Sequence, residues 1–257
     1  MRGLSRDGHH NSDWPNWAAA HSLNAGRWSL QNGLSRADRA WFCRGVPLTL
    51  TRMVEQQITN IDELVALIGM PLPRVANKVR HELHELDREW LAASPFCLVA
   101  TSDETGACDV SPKGDPPGEL AYVIDDNTIA LAERPGNRRA DGYKNVLGNP
   151  HVGLIFLIPG RGDTLRINGR ARLVSDAPFF DDMIIKGNRP ILAVVVDIEE
   201  IFHHCAKAFL RSQLWRPETW QDPVPSRPVI AKILDRSDQT LEELTAYYGD
   251  QYVNNLY

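Results

Sequence analysis

Paired cysteine is missing from this sequence. Its four cysteines, Cys43, Cys97, Cys108 and Cys205, are scattered over 257 residues, and no two stand in CxxC spacing. That spacing suits neither a zinc knuckle nor a disulfide framework, and it predicts reduced thiols, mostly small buried hydrophobes, in a cytoplasmic protein. No run of about 18 apolar residues occurs, so no membrane span is expected. The first residues hold no apolar signal core, so secretion is not expected either. An excess of basic charge is also absent. Lys and Arg number 28 against 33 Asp and Glu, a net charge of −5, which argues against a general nucleic-acid binder but leaves room for a local basic pocket. There is no GxGxxG loop and no βαβ alternation to support a dinucleotide fold. Hydrophobic content of 43% and charged content of 24% are ordinary for a globular chain of one large or two small domains.

What is present changes character along the chain. Residues 1–57 mix Gly, Asn, Ser, His and Arg with Trp14, Trp17, Trp28 and Trp41, and no helical or strand period persists. They read as a poorly ordered N-terminal extension, the alternative being a segment that packs its tryptophans on the main body, with Met53 a candidate functional start. Regular structure is expected from Ile58. Asn60 precedes Asp62 and Glu63 as a plausible N-cap with an acidic first turn; Leu64, Leu67 and Ile68 share a face; Gly69-Met70-Pro71 stops the helix. Val75, Val79, Leu83, Leu86, Trp90 and Leu91 predict a longer helix over 74–93. His81 and His84 lie three apart on it, but no further ligand is in register, so a wet helix face is expected rather than a metal site.

From Ser94 the period becomes two. Strands are expected at 95–101, 108–113, 119–124, 128–132, 151–158 and 163–174, with a short helix around 179–186. Ile191–Ile198 is a fully apolar strand expected at the centre of the sheet. Residues 216–257 are Pro-rich, then helical over 240–248, and are read as a C-terminal extension packing on the barrel or on a partner subunit. Antiparallel strands, hairpin turns and one inserted helix predict a mainly β fold with flanking helices (α+β), a closed barrel rather than an open parallel sheet.

The sequence turns on Arg134-Pro135-Gly136-Asn137-Arg138-Arg139-Ala140-Asp141. Three arginines surround a Pro-Gly turn between a strand and a helix that ends at Asn149-Pro150. Free backbone N–H groups and the dipole at a helix start favour an anion. Arg138 and Arg139 can add forked, charge-assisted hydrogen bonds to phosphate oxygens. A solvated basic turn is the alternative reading of the same residues.

Taken together, Ser94 to Trp220 resembles the pyridoxamine 5′-phosphate oxidase-like flavoproteins, and within them a less characterised bacterial branch. The family's R-x-V-L-L-K strand corresponds to Cys108-Asp109-Val110-Ser111-Pro112-Lys113, with Lys113 matching the final lysine and Cys108 replacing the arginine. Its S-R-K phosphate element corresponds to Asn137-Arg138-Arg139. Its R-Q-V-x-V-x-G strand corresponds to 163–169, where Thr164 stands for the flavin-facing glutamine. The resemblance implies a split antiparallel β-barrel over 58–215, FMN-binding type, and a homodimer with FMN in the cleft between subunits. Barrel faces and the apolar strand from Ile191 would supply that interface. Residues implied to bind FMN are Val110, Ser111, Lys113, Ala132, Glu133, Asn137, Arg138, Arg139 and Thr164.

The family oxidase ends in an arginine- and tryptophan-rich strand that clasps pyridoxal phosphate. Arg211-Ser212-Gln213-Leu214-Trp215-Arg216-Pro217 does not match it, which places pyridoxamine phosphate oxidation in doubt. His203, His204, Cys205 and Lys207 offer polar groups in its stead, with His204 and Lys207 the catalytic candidates. The expected function is that of an FMN-dependent oxidoreductase acting on a small molecule, with no nucleic acid, membrane or metal partner. Two readings stand beside it: a reductase using the deazaflavin F420, and a non-catalytic flavin- or haem-binding or redox-sensing module.

Overall fold

The computed structural model describes residues 56–221, 223–249, 252, 254 and 256. Most of the N-terminal extension, with its tryptophans and Met53, lies outside the described residues. The chain divides into two units, one up to Gly69 and one from Met70 onward. In the first, helix α1 (Ile61–Ile68) begins where the Asn60 side chain accepts from the Glu63 amide at 3.0 Å. It ends at Gly69, whose φ of 80° is in the left-handed region that glycine enters without a Cβ penalty.

The second unit opens with two short helices rather than one long one. Helix α2 (Pro73–Ala76) stops at Asn77, and α3 (Glu85–Ala93) starts afresh at His84. The expected helix over 74–93 is therefore interrupted. Tertiary hydrogen bonds explain the break. Arg80 exchanges both backbone bonds with Ile201 at 3.0 and 2.8 Å, and the Leu83 amide donates to the Asp126 carbonyl at 2.7 Å. These pull the intervening backbone away from helical pairing, outcompeting a propensity worth only tenths of a kcal/mol per residue. His81 and His84 consequently share no helix face. His84 is the N-cap, its Nδ1 accepting from Leu86 N at 3.1 Å, while His81 Nδ1 sits 2.5 Å from the Glu199 carbonyl.

Seven strands follow among the described residues: β1 (Phe96–Ser102), β2 (Cys108–Gly114), β3 (Tyr122–Val123), β4 (Thr128–Ala132), β5 (His151–Leu157), β6 (Thr164–Val174) and β7 (Ala193–His204). Helix α4 (Asp141–Gly148) separates β4 from β5, and a 3₁₀ segment (Pro178–Met183) separates β6 from β7. Beyond β7 come α5 (Lys207–Ser212), α6 (Arg227–Leu234) and α7 (Leu241–Tyr247). All ladders are antiparallel, in the order β2-β1-β5-β6-β7-β4-β3. The sheet is not closed, so the expectation of a closed barrel is corrected to an open, split one. Two features hold the ends apart. β3 is only two residues long, and β2 carries Pro112, which has no N–H to give and belongs on an edge strand.

The main core cluster includes Trp90, Leu91, Leu131, Leu154, Phe156, Leu165, Ile167 and Ile201. A smaller cluster of Ala130, Ala132, Met183 and Val195 lies under the 3₁₀ segment. β7 is flanked by β6 and β4, and Ala193 to Val196 are all buried by the chain's own residues. That strand cannot also present those side chains to a second subunit; of the apolar residues in the run expected to do so, only Ile191 is strongly exposed, at 82%.

Candidate functional site

The route from β4 to α4 decides the geometry of the site. All five residues of β4 are buried, and its end at Ala132 leads directly into Glu133 and the arginine turn. Arg134 is anchored there: its Nε donates to Asp115 Oδ2 at 2.9 Å and its Nη1 to the Met183 carbonyl at 3.0 Å. The backbone then passes through two left-handed non-glycine residues, Arg138 (φ 59°) and Ala140 (φ 58°). Such positions cost of order 1 kcal/mol or more and cluster where ligands bind. Ala140 is the N-cap of α4, with no side chain able to accept a hydrogen bond, and nothing else among the described residues caps the first-turn amides. The amides of Asp141, Gly142 and Tyr143 thus begin a helix with no acceptor in front of them.

Helix α4 lies close against β1 and β2. A Cβ on Gly142 would come within 3.3 Å of Asp109 Oδ2, 3.5 Å of Thr101 Oγ1 and 3.6 Å of Ser111 Oγ. This approach leaves a cavity of about 700 Å³ between β2, the end of β4, the turn and the start of α4. Its size falls within the range of about 300–1,000 Å³ typical of small-molecule and cofactor sites. Val110, Ser111, Lys113, Ala132, Glu133, Asn137, Arg138 and Arg139 all line it.

Charge on the walls is balanced but not evenly distributed. Lys113, Arg134, Arg138 and Arg139 face Asp109, Asp115, Glu133 and Asp141. Lys113 Nζ lies 3.2 Å from Glu133 Oε2 and donates to the Tyr143 hydroxyl at 2.7 Å. Arg139 pairs with Asp141, whose carboxyl its guanidinium holds below the usual carboxylate range, with Lys144 adding to the effect. Arg138 alone of the four has no ion-pair or hydrogen-bond partner for its side chain among the described residues, and Arg134 keeps one buried nitrogen, Nη2, without an acceptor. Behind Lys113, burial pushes the Cys97 thiol up to about 12, with the ammonium opposing it, so this cysteine is a packing group and not a nucleophile.

Three other sequence candidates lie elsewhere. Thr164 opens β6, is buried, and pairs with His204 rather than facing the cavity. His204 and Lys207 are exposed at the end of β7 and the start of α5, and neither lines the cavity. His203 belongs to a different cluster, its Nε2 3.2 Å from Asp87 Oδ1 and its ring edge-on to Trp90 at 5.1 Å. No group of three or more His, Cys, Asp or Glu suited to a metal occurs among the described residues. Sequence reasoning missed Tyr143, whose only local signal is its place in the first turn of the helix. It also missed Tyr252 and Leu256, which line the cavity from the C-terminal segment and carry no local signal at all.

Residues 83–205 match the family model of pyridoxamine 5′-phosphate oxidase. This barrel region is thus similar to the pyridoxamine 5′-phosphate oxidase-like family. Among solved structures, HupZ of Group A Streptococcus is 18% identical, with 47% of this chain and 93% of that chain covered at a TM-score of 0.39. A Clostridium acetobutylicum protein related to general stress protein 26, of the pyridoxinephosphate oxidase family, is 15% identical, covering 46% and 85% at 0.36. An F420 reductase is 16% identical, covering 45% and 94% at 0.32. No curated protein matches the chain.

The pyridoxamine 5′-phosphate oxidase-like family generally binds flavin, and the residues present fit a phosphorylated one. An uncapped helix start, a guanidinium with no partner among the described residues and an Arg134 with one unsatisfied nitrogen all line the cavity within the stretch from Arg134 to Asp141. The pair Arg139–Asp141 does not block that stretch. Arg139 is 80% exposed, and an ion pair in solvent contributes so little that a dianion can displace it.

Proposed function

We propose that this protein is an FMN-dependent oxidoreductase that acts on a small molecule. The observation that carries the reading is Arg138: a cation without a partner among the described residues, held in left-handed backbone beside first-turn amides of α4 that no described residue caps, and lining a 700 Å³ cavity. A phosphate dianion there gains forked hydrogen bonds from Arg138 and Arg139 and the favourable end of the helix dipole. Ser111, Thr101 and the Lys113–Glu133–Tyr143 cluster offer hydroxyls and charge to the polar edges of a ring, while Val110, Pro112 and Ala132 offer apolar surface. The flavin, when bound, would supply the electron transfer; the chain would bind and orient it, and Lys113 would contribute a positive charge within the cavity that favours the reduced, negatively charged form. A homodimer with FMN near the subunit interface completes the proposal, since family members are often dimers.

Purification followed by release and mass identification of any bound small molecule tests this directly. Titration of the cofactor-free protein with FMN, riboflavin and F420 then separates the candidates. FMN is expected to bind with micromolar affinity or better. Riboflavin, lacking the phosphate, should bind at least about tenfold more weakly, since a charged contact contributes roughly 1.5–3 kcal/mol. A colourless preparation that takes up no FMN sinks the reading, and preference for F420 replaces it.

A further inference from the structure

We infer that the C-terminal hairpin supplies one wall of the cofactor cavity, with Tyr252 its aromatic face. This rests on the cofactor reading above and adds a residue that the family match, ending at 205, does not reach. Among the described residues, three exposed large hydrophobic side chains line the cavity: Val110 at 57%, Tyr252 at 52% and Leu256 at 51%. Two of the three therefore come from the last six residues of the chain. The lining also carries the ionic side chains of Arg138, Arg139, Asp109 and Asp141. An apolar ring carrying a charged tail needs both kinds of surface in one cavity.

The hairpin holds Tyr252 in place. Helix α7 starts with a capping box in which Thr240 and Glu243 bond reciprocally, and Leu244 buries its inner face. Arg236 lies 4.4 Å over the ring of Tyr247, and Arg227, tied to Asp235 at 2.7 Å, lies 5.3 Å over Tyr248. Tyr252 packs against both tyrosines, with centroids at 5.9 and 5.5 Å, and its amide donates to the Gly249 carbonyl at 3.0 Å. A ring fixed on one side by two others, and half-exposed within a cavity, is ready to stack on a planar ligand. The same ring shields that ligand from water.

The test uses the full chain and FMN, with affinity and iodide quenching of bound flavin as readouts. The wild type is expected to bind FMN and to shield it. Tyr252→Ala combined with Leu256→Ala should raise Kd roughly two- to tenfold, the contribution of one aromatic stacking contact, and should increase the iodide quenching constant. Tyr252→Phe should behave as wild type, because the ring and not the hydroxyl forms the wall. Circular dichroism checks that each variant is folded. If wild type and the double variant bind FMN alike and quench alike, the wall is refuted while the cofactor reading survives. Tighter binding in the double variant would mean that the tail competes with the ligand, which also refutes it. If the wild type takes up no FMN, both readings fall together.

Discussion

Lys113 and Glu133 meet across the cavity, Nζ to Oε2 at 3.2 Å, from strands that are not neighbours in the sheet. The lysine also donates to Tyr143 on α4, so one ammonium joins β2, the end of β4 and the helix. Both partners are about three-quarters buried, which leaves Glu133 with an uncompensated charge if the lysine is lost. Lys113→Met should cost about 1–3 kcal/mol and lower Tm by roughly 2–4 °C per kcal/mol. If FMN binds here, the same change should make its midpoint potential more negative, because a cation favouring the reduced, negatively charged form is gone. A thermal melt and a potentiometric titration check both; an unaltered Tm, or a potential shifted upward, contradicts the role given to Lys113.

Arg138 and Arg139 are neighbours with unequal freedom. Arg139 is engaged by Asp141, which must be displaced before a phosphate can use it; Arg138 is engaged by nothing among the described residues. Arg138→Ala should therefore weaken FMN binding more than Arg139→Ala, by about tenfold or more for a lost contact of roughly 1.5–3 kcal/mol. The double variant should release the cofactor yet keep its fold, since both side chains are on the surface. Fluorescence titration gives the order, and equal affinity in the double variant would remove the turn from the site.

Asp87 ties the segment before the barrel to β7. Its side chain is 1% exposed, paired with Arg80, bonded to the His84 amide at 2.9 Å and 3.2 Å from His203 Nε2. Burial alone would raise its carboxyl, but the hydrogen bonds from Arg80 and the His84 amide, with the charges of Arg80 and His203, outweigh it and hold it below 3.8. A carboxyl depressed on folding adds stability that is complete above its unfolded value and lost as pH falls through the folded one. Asp87→Asn should cost about 2–3 kcal/mol at pH 7, a figure reduced from that for fully buried pairs because Arg80 is 37% exposed. The gap between wild type and variant should narrow as pH drops below about 4. Urea unfolding at a series of pH values measures this, and a gap independent of pH would rule out the carboxylate as its source.

These tests also mark where the sequence was readable. Alternating runs such as Phe96–Ser102 and Thr164–Val174 show their strand period directly, because one side of each faces the core. The arginine turn was legible for a related reason: its residues are contiguous, so the chain order alone places them at a helix start. Residues 77–84 misled because apolar spacing at Val79 and Leu83 cannot reveal backbone bonds to Ile201 and Asp126, far away in the chain. Thr164, expected to face a flavin from its place in the motif, is buried at the start of β6 and does not line this cavity, a placement set by register, which a strand's own sequence does not fix. Tyr252 was invisible because a wall built from a distant segment leaves no periodic trace.

Gly169 gives the sharpest test of the fold. It sits at the register shift between β6 and β7, where a bulge lets Asn168 pair with Glu200 and Gly169 with Ile198. A Cβ there would fall 2.1 Å from the Asp197 carbonyl oxygen, a backbone atom on the neighbouring strand that cannot turn aside as a side chain can. The two longest strands would have to separate, and their ladder carries the centre of the core through Ile167 and Ile201, both fully buried. Gly169→Ala should thus cost about 3 kcal/mol or more, well beyond the usual effect of one added methyl. Gly160→Ala, at a turn with nothing within 4 Å of the new carbon but a φ of +84°, should cost less, about 1 kcal/mol. Paired urea titrations of the two variants give the comparison; similar midpoints would mean that the bulge yields, and that β6 and β7 are not clamped at Gly169.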